Sequence, residues 1–218
     1  MSVKETILNR RSVRKYTKEM IPDEMITEVV QAGLLAPSSR NLRSSRAVIV
    51  TDKRLLRLLS ACRSAGASML RKCACAIVVY GDESLSDAWI EDCSIMMSYM
   101  QLRAQEMGLG SCWVQCRNRI SAQNREKAIP EDIKEEKNVL VRAKRLGRAA
   151  LPEDMIAERN MTTDEYIRTL FGLQEHERIE AVLALGYPDE HKAPYTEADA
   201  DMDRVTWKKQ PDITAASE

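Results

Sequence analysis

DAWIEDCSIMMSYMQLRAQEMGLGSCWVQ, residues 87–115, is the stretch on which the architecture turns. From Asp87 to Gly108 it predicts one helix of roughly 22 residues, about 33 Å long at 1.5 Å per residue. Its middle, Ile95, Met96, Met97, Tyr99, Met100 and Leu102, is apolar on almost every side. A helix apolar all round is central to its domain or sandwiched at an interface. Gly108 and Gly110 end it, as glycine does just past a helix C-terminus. SCWVQC, residues 111–116, then reads as a strand.

Outward from this centre, helices and strands mix without a regular βαβ rhythm. Residues 2–9 predict a short helix with Ser2 as N-cap and Glu5 three places on. Pro22 and Asp23 open a second helix, with Met25, Ile26, Val29, Val30 and Leu34 at helical spacing. Pro37 stops it at a Ser-Ser-Arg-Asn turn. RAVIV (46–50) reads as a strand, LLRLLSAC as a helix, ACAIVVY (74–80) as a second strand and IEAVLALGYP (179–188) as the last. From Ser121 to about Leu173 the chain is highly charged and of helical character. Within it, 134–159, with Arg142, Lys144, Arg145 and Arg148, reads as a surface insertion in a single domain spanning 1–218. The tail, 189–218, is polar and cannot fold on itself, so it is disordered or laid on another surface.

Composition narrows the function classes. Lys plus Arg and Asp plus Glu both number 33, so no global basic field exists for nucleic acid. With one Phe and 11 Met, the core is expected to be aliphatic and methionine-packed. No run approaches the ~20 apolar residues of a membrane span. The first residues lack the apolar block of a signal peptide, so a cytoplasmic location is the expectation. There the six cysteines, Cys62, Cys73, Cys75, Cys93, Cys112 and Cys116, are expected as buried free thiols and not a metal site. Cys73 and Cys75 are expected on one face of a strand, and Cys112 and Cys116 likewise. GLG at 108–110 follows a helix and is not GxGxxG, which argues against a Rossmann dinucleotide site. Walker A, HExxH and GxSxG are all missing.

Three polar motifs carry the chemistry. RRSVRKY (10–16) clusters cations with a hydroxyl; PSSRN (37–41) is a hydroxyl-rich turn with an amide; GLGSCWVQ (108–115) is a glycine-hinged turn into a strand. Each alone has a plain reading: a basic loop, a helix stop, a core strand. Together they suit three walls around a flat, phosphorylated, redox-active ring.

Their order and spacing, with ALGYP at 184–188, resemble the FMN-dependent nitroreductase family over about 1–125 and 160–190. The resemblance implies an α+β fold with a central, mainly antiparallel sheet flanked by helices. It also implies a homodimer with FMN at the interface and the C-terminal tail exchanged onto the partner. The implied FMN contacts are Arg10, Arg11, Ser12 and Arg14; Pro37, Ser38, Ser39 and Asn41, which reach the partner's flavin; and Cys112, Trp113, Val114 and Gln115, largely through backbone. Arg10 would serve the phosphate and ribityl side. Arg14 would serve the pyrimidine edge, where a cation stabilises charge on the reduced ring. Relatives often carry two cations beyond the GYP turn; here Lys192 is the candidate, with Arg71 or Lys72 as a further one. Relatives often carry Gly-Gly or Glu-Gly where this chain has Gln115 and Cys116.

The implied activity is hydride transfer from NADH or NADPH through flavin N5 to a nitroaromatic, quinone or activated alkene, by a ping-pong mechanism. The flavin does the redox chemistry, so no nucleophile or general base is required. Dehalogenation, dehydrogenation and a non-catalytic flavin-binding redox sensor are the alternatives.

Overall fold

The computed structural model of the 218-residue chain describes residues 1–121 and 161–208. The expected insertion at 134–159 and the end of the tail lie outside the described residues. Four strands form one sheet: β1 (Ser45–Val50), β2 (Cys75–Asp82), β3 (Gly110–Gln115) and β4 (Glu177–Gly186), in the order β1-β2-β4-β3. Every neighbouring pair is antiparallel. The last strand in sequence therefore lies between β2 and β3. β2 reads as a continuous apolar run because helices cover both of its faces, and its first seven residues are buried.

The register across β2 and β4 steps from Val79↔Ala181 to Tyr80↔Ile179, which leaves Glu180 as an extra residue on β4. A bulge of this kind leaves one residue out of the ladder. The Glu180 carbonyl is not wasted: it accepts N–H from both Cys116 (3.2 Å) and Arg117 (3.1 Å).

Among the described residues, five helices flank the sheet: α1 (Val3–Asn9), α2 (Asp23–Leu34), α3 (Lys53–Leu59), α4 (Trp89–Glu106) and α5 (Thr163–Phe171). α3 and α5 bring Leu56, Leu59, Ile167 and Phe171 into one core with Val78, Val114 and Val182. α2 and α4 bring Val29, Met96, Met97 and Met100 into the other with Ile77, Val79 and Leu183. The alternation of strand residues between two cores is the period-2 rule at work. Cys73 lies before β2 and joins the first core, whereas Cys75 joins the second. The expectation that they share a face is thus corrected: the chain has not yet entered the strand at Cys73. Cys112 and Cys116 do share the first core.

α4 is not buried all round. Cys93, Met96, Met97, Met100 and Ala104 form its buried stripe. Ile95 and Tyr99 stand 36% and 42% exposed on another face. No helix among the described residues is long and apolar enough to cross a membrane.

After α1, with its Ser2–Glu5 capping box, the chain crosses the ends of β3 and β4. Gly110 and Gly186 are partners in the ladder. A Cβ on Gly110 would lie 2.8 Å from Val13 Cγ1, and one on Gly186 2.7 Å from Tyr16 Cδ1. The two glycines therefore act as a seat for residues 10–16. Gly186→Ala should lift Tyr16 and cost about 1–3 kcal/mol, the usual penalty for overpacking. A urea-unfolding midpoint unchanged from wild type would show that the seat is not tight.

Candidate functional site

The first and third motifs meet. Ser12 bridges Ser111 in parallel fashion, and the Val13 N–H donates to the Ser111 carbonyl (2.9 Å). Val13 and Tyr16 anchor the run in the first core. Tyr16 donates its hydroxyl to the Val13 carbonyl (2.6 Å), and burial pushes its phenol far up. With the odd apolar residues pinned, Arg10, Arg11, Ser12 and Arg14 are left at or near the surface. Arg10 and Arg14 have no carboxylate ion pair among the described residues. Arg14 Nη1 donates to the Ser12 carbonyl (3.3 Å). Arg11 is committed elsewhere: it donates to the Ala193 carbonyl and lies over the Tyr195 ring, 4.3 Å from its centroid.

The stretch after β4 completes this cluster. Lys192 Nζ donates to the Ser12 carbonyl (2.6 Å) and lies 3.7 Å from Glu190. Arg14, Lys192 and Arg10 all act on the Cys112 thiol, whose pKa is nevertheless raised because burial outweighs them. The turn with Arg71 and Lys72, both exposed, precedes the start of β2 at this same end of the sheet, where Cys75 pairs with Leu185.

Over its described part the tail is laid on another surface, one of the two outcomes expected of it. Asp189 donates its N–H to the Lys15 carbonyl (2.9 Å), Tyr195 to that of Leu8 (2.8 Å), and Glu197 pairs with Lys4. Residues 189–197 therefore lie on the chain's own N-terminal run, because backbone groups left outside helix and sheet find each other there. Beyond them, Trp207 is 70% exposed.

Glu190 was not singled out in the sequence, yet it holds this junction. Its Oε1 accepts N–H from Arg14 and from Lys15 (3.3 Å). Those hydrogen bonds, the Arg14 one foremost, hold its carboxyl below the usual range. A lowered native pKa means the contribution is complete above the ordinary glutamate range and disappears as pH falls through the native value. Acidification below about pH 4.3 should therefore begin to loosen the tail. Glu190→Gln should make tail proteolysis at pH 7 as fast as in acid; wild-type rates that do not change with pH would contradict this.

The second motif lies elsewhere. α2 ends at Leu34, and Ser39–Asn41 form a single 3₁₀ turn. Arg40, Asn41 and Arg43 all have left-handed backbone, with φ of 50°, 54° and 51°. Asn tolerates this region but Arg does so only under constraint. The constraint is visible: Ser39 N–H donates to Asp92 Oδ1 (2.8 Å), Arg43 N–H to Ser38 Oγ (3.0 Å), and Arg40 pairs with Asp87. Asn41 is exposed, its Oδ1 accepting from Arg43 Nε (3.2 Å). Pro37 and Ser38 line a cavity at the end of α2.

The separation can be measured two ways. Asp92 lies in the first turn of α4, whereas Ser111 follows its end; from Asp92 to Glu106 the axis runs about 21 Å. Ser44 and Ser45 stand at the Gly81 end of β2, and Gly110 and Gly186 at the Cys75 end. Within one chain, then, the structure brings together the first and third motifs but not the second.

On β3, Cys112 and Val114 point into the first core, so only their backbone is available to a ligand. Trp113 packs against the second core, and its Nε1–H donates to Gln115 Oε1 (2.8 Å). Gln115 Nε2 reaches Glu180 Oε1 (3.5 Å), and Arg117 Nε donates to Glu180 Oε2 (2.8 Å). Gln115 is thus a link between Trp113 and the carboxylate of the bulge. Asp92, Glu180 and Glu190 escaped the sequence reading because their partners are tens of residues distant. All six thiols are free and buried, and burial pushes Cys73 up to about 11 and Cys75 and Cys93 up to about 12. His176 Nε2 lies 3.9 Å from Asp82 Oδ2.

The comparisons agree with this geometry. The family model described as "Nitroreductase family" matches residues 7–68 and 60–134. An FMN-dependent nitroreductase from Clostridium difficile R20291 is 33% identical, with a TM-score of 0.75 over 95% of this chain and 99% of that one. A protein of Archaeoglobus fulgidus, provisionally named NADH dehydrogenase/NAD(P)H nitroreductase, is 35% identical over 58% of this chain and 76% of its own length. The Thermus thermophilus NADH dehydrogenase is 27% identical over 89% of this chain and 90% of its own length. With residues 10–16 seated on paired glycines, Arg10, Arg14 and Lys192 gathered beside them, and the family model matching more than half of its length, the chain belongs to the nitroreductase family.

Proposed function

We propose that the protein is a homodimeric FMN-dependent oxidoreductase passing electrons from NADH or NADPH to an electron-poor acceptor of the nitroaromatic, quinone or activated-alkene class. The observation that carries this reading is the placement of the motifs at opposite ends of α4. Two copies related by a twofold axis, with α4 helices antiparallel, would set the second motif of one beside the first and third of the other. Ile95 and Tyr99, apolar and exposed on α4, suit the surface between them. The neighbour from Clostridium difficile is named for FMN, and a Vibrio harveyi relative 32% identical over half of this chain is named an NADPH-flavin oxidoreductase.

The residues fit FMN. Arg10, Arg14 and Lys192 gather positive charge where a phosphate and an electron-rich ring edge need it, and planar guanidinium forks match phosphate oxygens. Ser12 offers a hydroxyl to the ribityl chain. The Gly110–Gln115 backbone presents groups toward the ring while Cys112 and Val114 stay in the core. Ser38, Ser39 and Asn41 close the pocket of the other copy. When bound, FMN supplies the hydride chemistry; the protein binds, orients and shields it. A sensor acting through its thiols is disfavoured, since a reactive thiol needs exposure and a low pKa. A cytoplasmic location accompanies this reading.

The test is an absorbance spectrum of the purified protein saturated with FMN, before and after anaerobic NADH or NADPH, with the mass of the eluting species. Bound flavin that bleaches in a dimer is expected. A colourless monomer after saturation rejects the proposal, and bound flavin that neither cofactor reduces rejects the enzymatic part.

A further inference from the structure

At the far end of α4 from the cationic cluster lies a cavity of about 260 Å³ between the end of α2, the strained turn and the start of β1. Its apolar lining includes Leu34, Ala36 and Met96, and its polar lining includes Arg43, Ser45 and Arg46. Ser45 Oγ is buried and has no hydrogen-bond partner. The Cys93 thiol interacts with it, but sulfur is a weak acceptor and this thiol stays protonated. A buried hydroxyl left in this state is costly and calls for a partner.

The two arginines are held, not loose. Arg43 Nε donates to Asn41 Oδ1 (3.2 Å), and Arg46 Nη1 donates to the Arg43 carbonyl (2.9 Å). Neither has a carboxylate ion pair among the described residues, although Arg46 is near enough to Asp82 to help lower its pKa. Arg40 is already paired with Asp87. Asp92 also lines the cavity, and its charge would oppose an anion. Both of its oxygens are occupied, Oδ1 by the Ser39 N–H and Oδ2 by the Ser44 hydroxyl (3.0 Å), and two guanidinium charges outnumber it.

We propose that this cavity binds a small aromatic carboxylate, its ring against Leu34, Ala36 and Met96, its carboxylate on Arg43 and Arg46, and Ser45 Oγ as a donor to it. The size admits one substituted ring. The apolar lining favours a ring over a free phosphate, and planar guanidinium forks favour a planar carboxylate. Pro37 and Ser38 also line the cavity, so it adjoins the wall that the flavin reading gives to the other copy's pocket; it goes beyond that reading because the groups that hold the carboxylate, Arg43, Ser45 and Arg46, are not part of that wall.

The probe is benzoate, titrated by calorimetry into the protein as purified, with benzamide and inorganic phosphate as comparisons. Benzoate should bind at least tenfold more tightly than benzamide, and phosphate should not displace it. Arg43→Gln with Arg46→Gln, both exposed and so compatible with folding, should weaken benzoate tenfold or more. Ser45→Ala should weaken it several-fold with no loss of thermal stability. No benzoate binding, equal binding of benzamide, displacement by phosphate, or indifference to the double substitution would each overturn the proposal. The readout needs no flavin turnover, so a colourless protein that binds benzoate would refute the oxidoreductase reading and leave this one standing.

Discussion

Asp92→Ala should destabilise the protein by about 3–5 kcal/mol, read as a drop in the urea midpoint at constant slope. Asp92 is 3% exposed and accepts one hydrogen bond on each carboxylate oxygen, from Ser39 N–H and from the Ser44 hydroxyl. Hydrogen bonds to a charged group contribute about 1.5–3 kcal/mol each, and removing the acceptor leaves both donors wanting. Ser44 is fully buried, so water cannot replace the lost acceptor there. Three backbone constraints depend on this tether. Arg40 and Arg43 hold left-handed backbone that costs roughly 1–2 kcal/mol per residue, Asn41 between them tolerates it, and an untethered turn would relax out of it. The second consequence is therefore functional: a relaxed turn no longer closes the other copy's pocket, and FMN retention should fall with stability. Asp92→Asn keeps one acceptor and should cost clearly less. Equal losses for Ala and Asn would mean that the charge, not the hydrogen bonding, is the important property.

Arg10→Ala combined with Arg14→Ala should weaken FMN binding by about 10²- to 10⁴-fold while leaving the fold intact. The range follows from two charge-assisted contacts of about 1.5–3 kcal/mol each, at 1.4 kcal/mol per tenfold. The measurement is flavin fluorescence on titrating FMN into the apoprotein. Both side chains leave the core free, since Val13 and Tyr16 do the anchoring. Arg11→Ala is the internal contrast. Its guanidinium is committed to the Ala193 carbonyl and the Tyr195 ring, so it should loosen the tail and change FMN affinity less than tenfold. If Arg11→Ala proved as damaging as the double substitution, the division of labour along this run would be wrong.

The local parts of the structure were legible because their causes are local. Ser2 and Glu5 form the capping box that their spacing announces, Pro37 follows the end of α2, and Gly108 takes the left-handed position after α4. The four strands appear within one or two residues of their apolar runs. The long helix was read correctly in extent, but not in which of its apolar residues the chain itself buries. Periodicity cannot distinguish a buried stripe from an exposed one when both are apolar, and Ile95 and Tyr99 are the difference. The cysteine facing failed for a related reason: the period of two applies only inside the strand, and Cys73 precedes it.

The amino-acid order alone was sufficient for most elements and for the three polar motifs, since helix caps, stops and alternation act over a few residues; the antiparallel α+β class followed only from the family that those motifs resemble. Only the packed chain decided that β4 enters between β2 and β3 and that Gly110 meets Gly186 beneath Val13 and Tyr16. It also decided that Glu190 and Asp92 hold opposite ends of the molecule. These depend on contacts between residues from 48 (Ser44 and Asp92) to 176 (Arg14 and Glu190) positions apart, whose pairing is selected by steric fit and by the need to satisfy buried polar groups. No short-range pattern encodes that selection, which is why two motifs met in one chain and the third stood some 20 Å away.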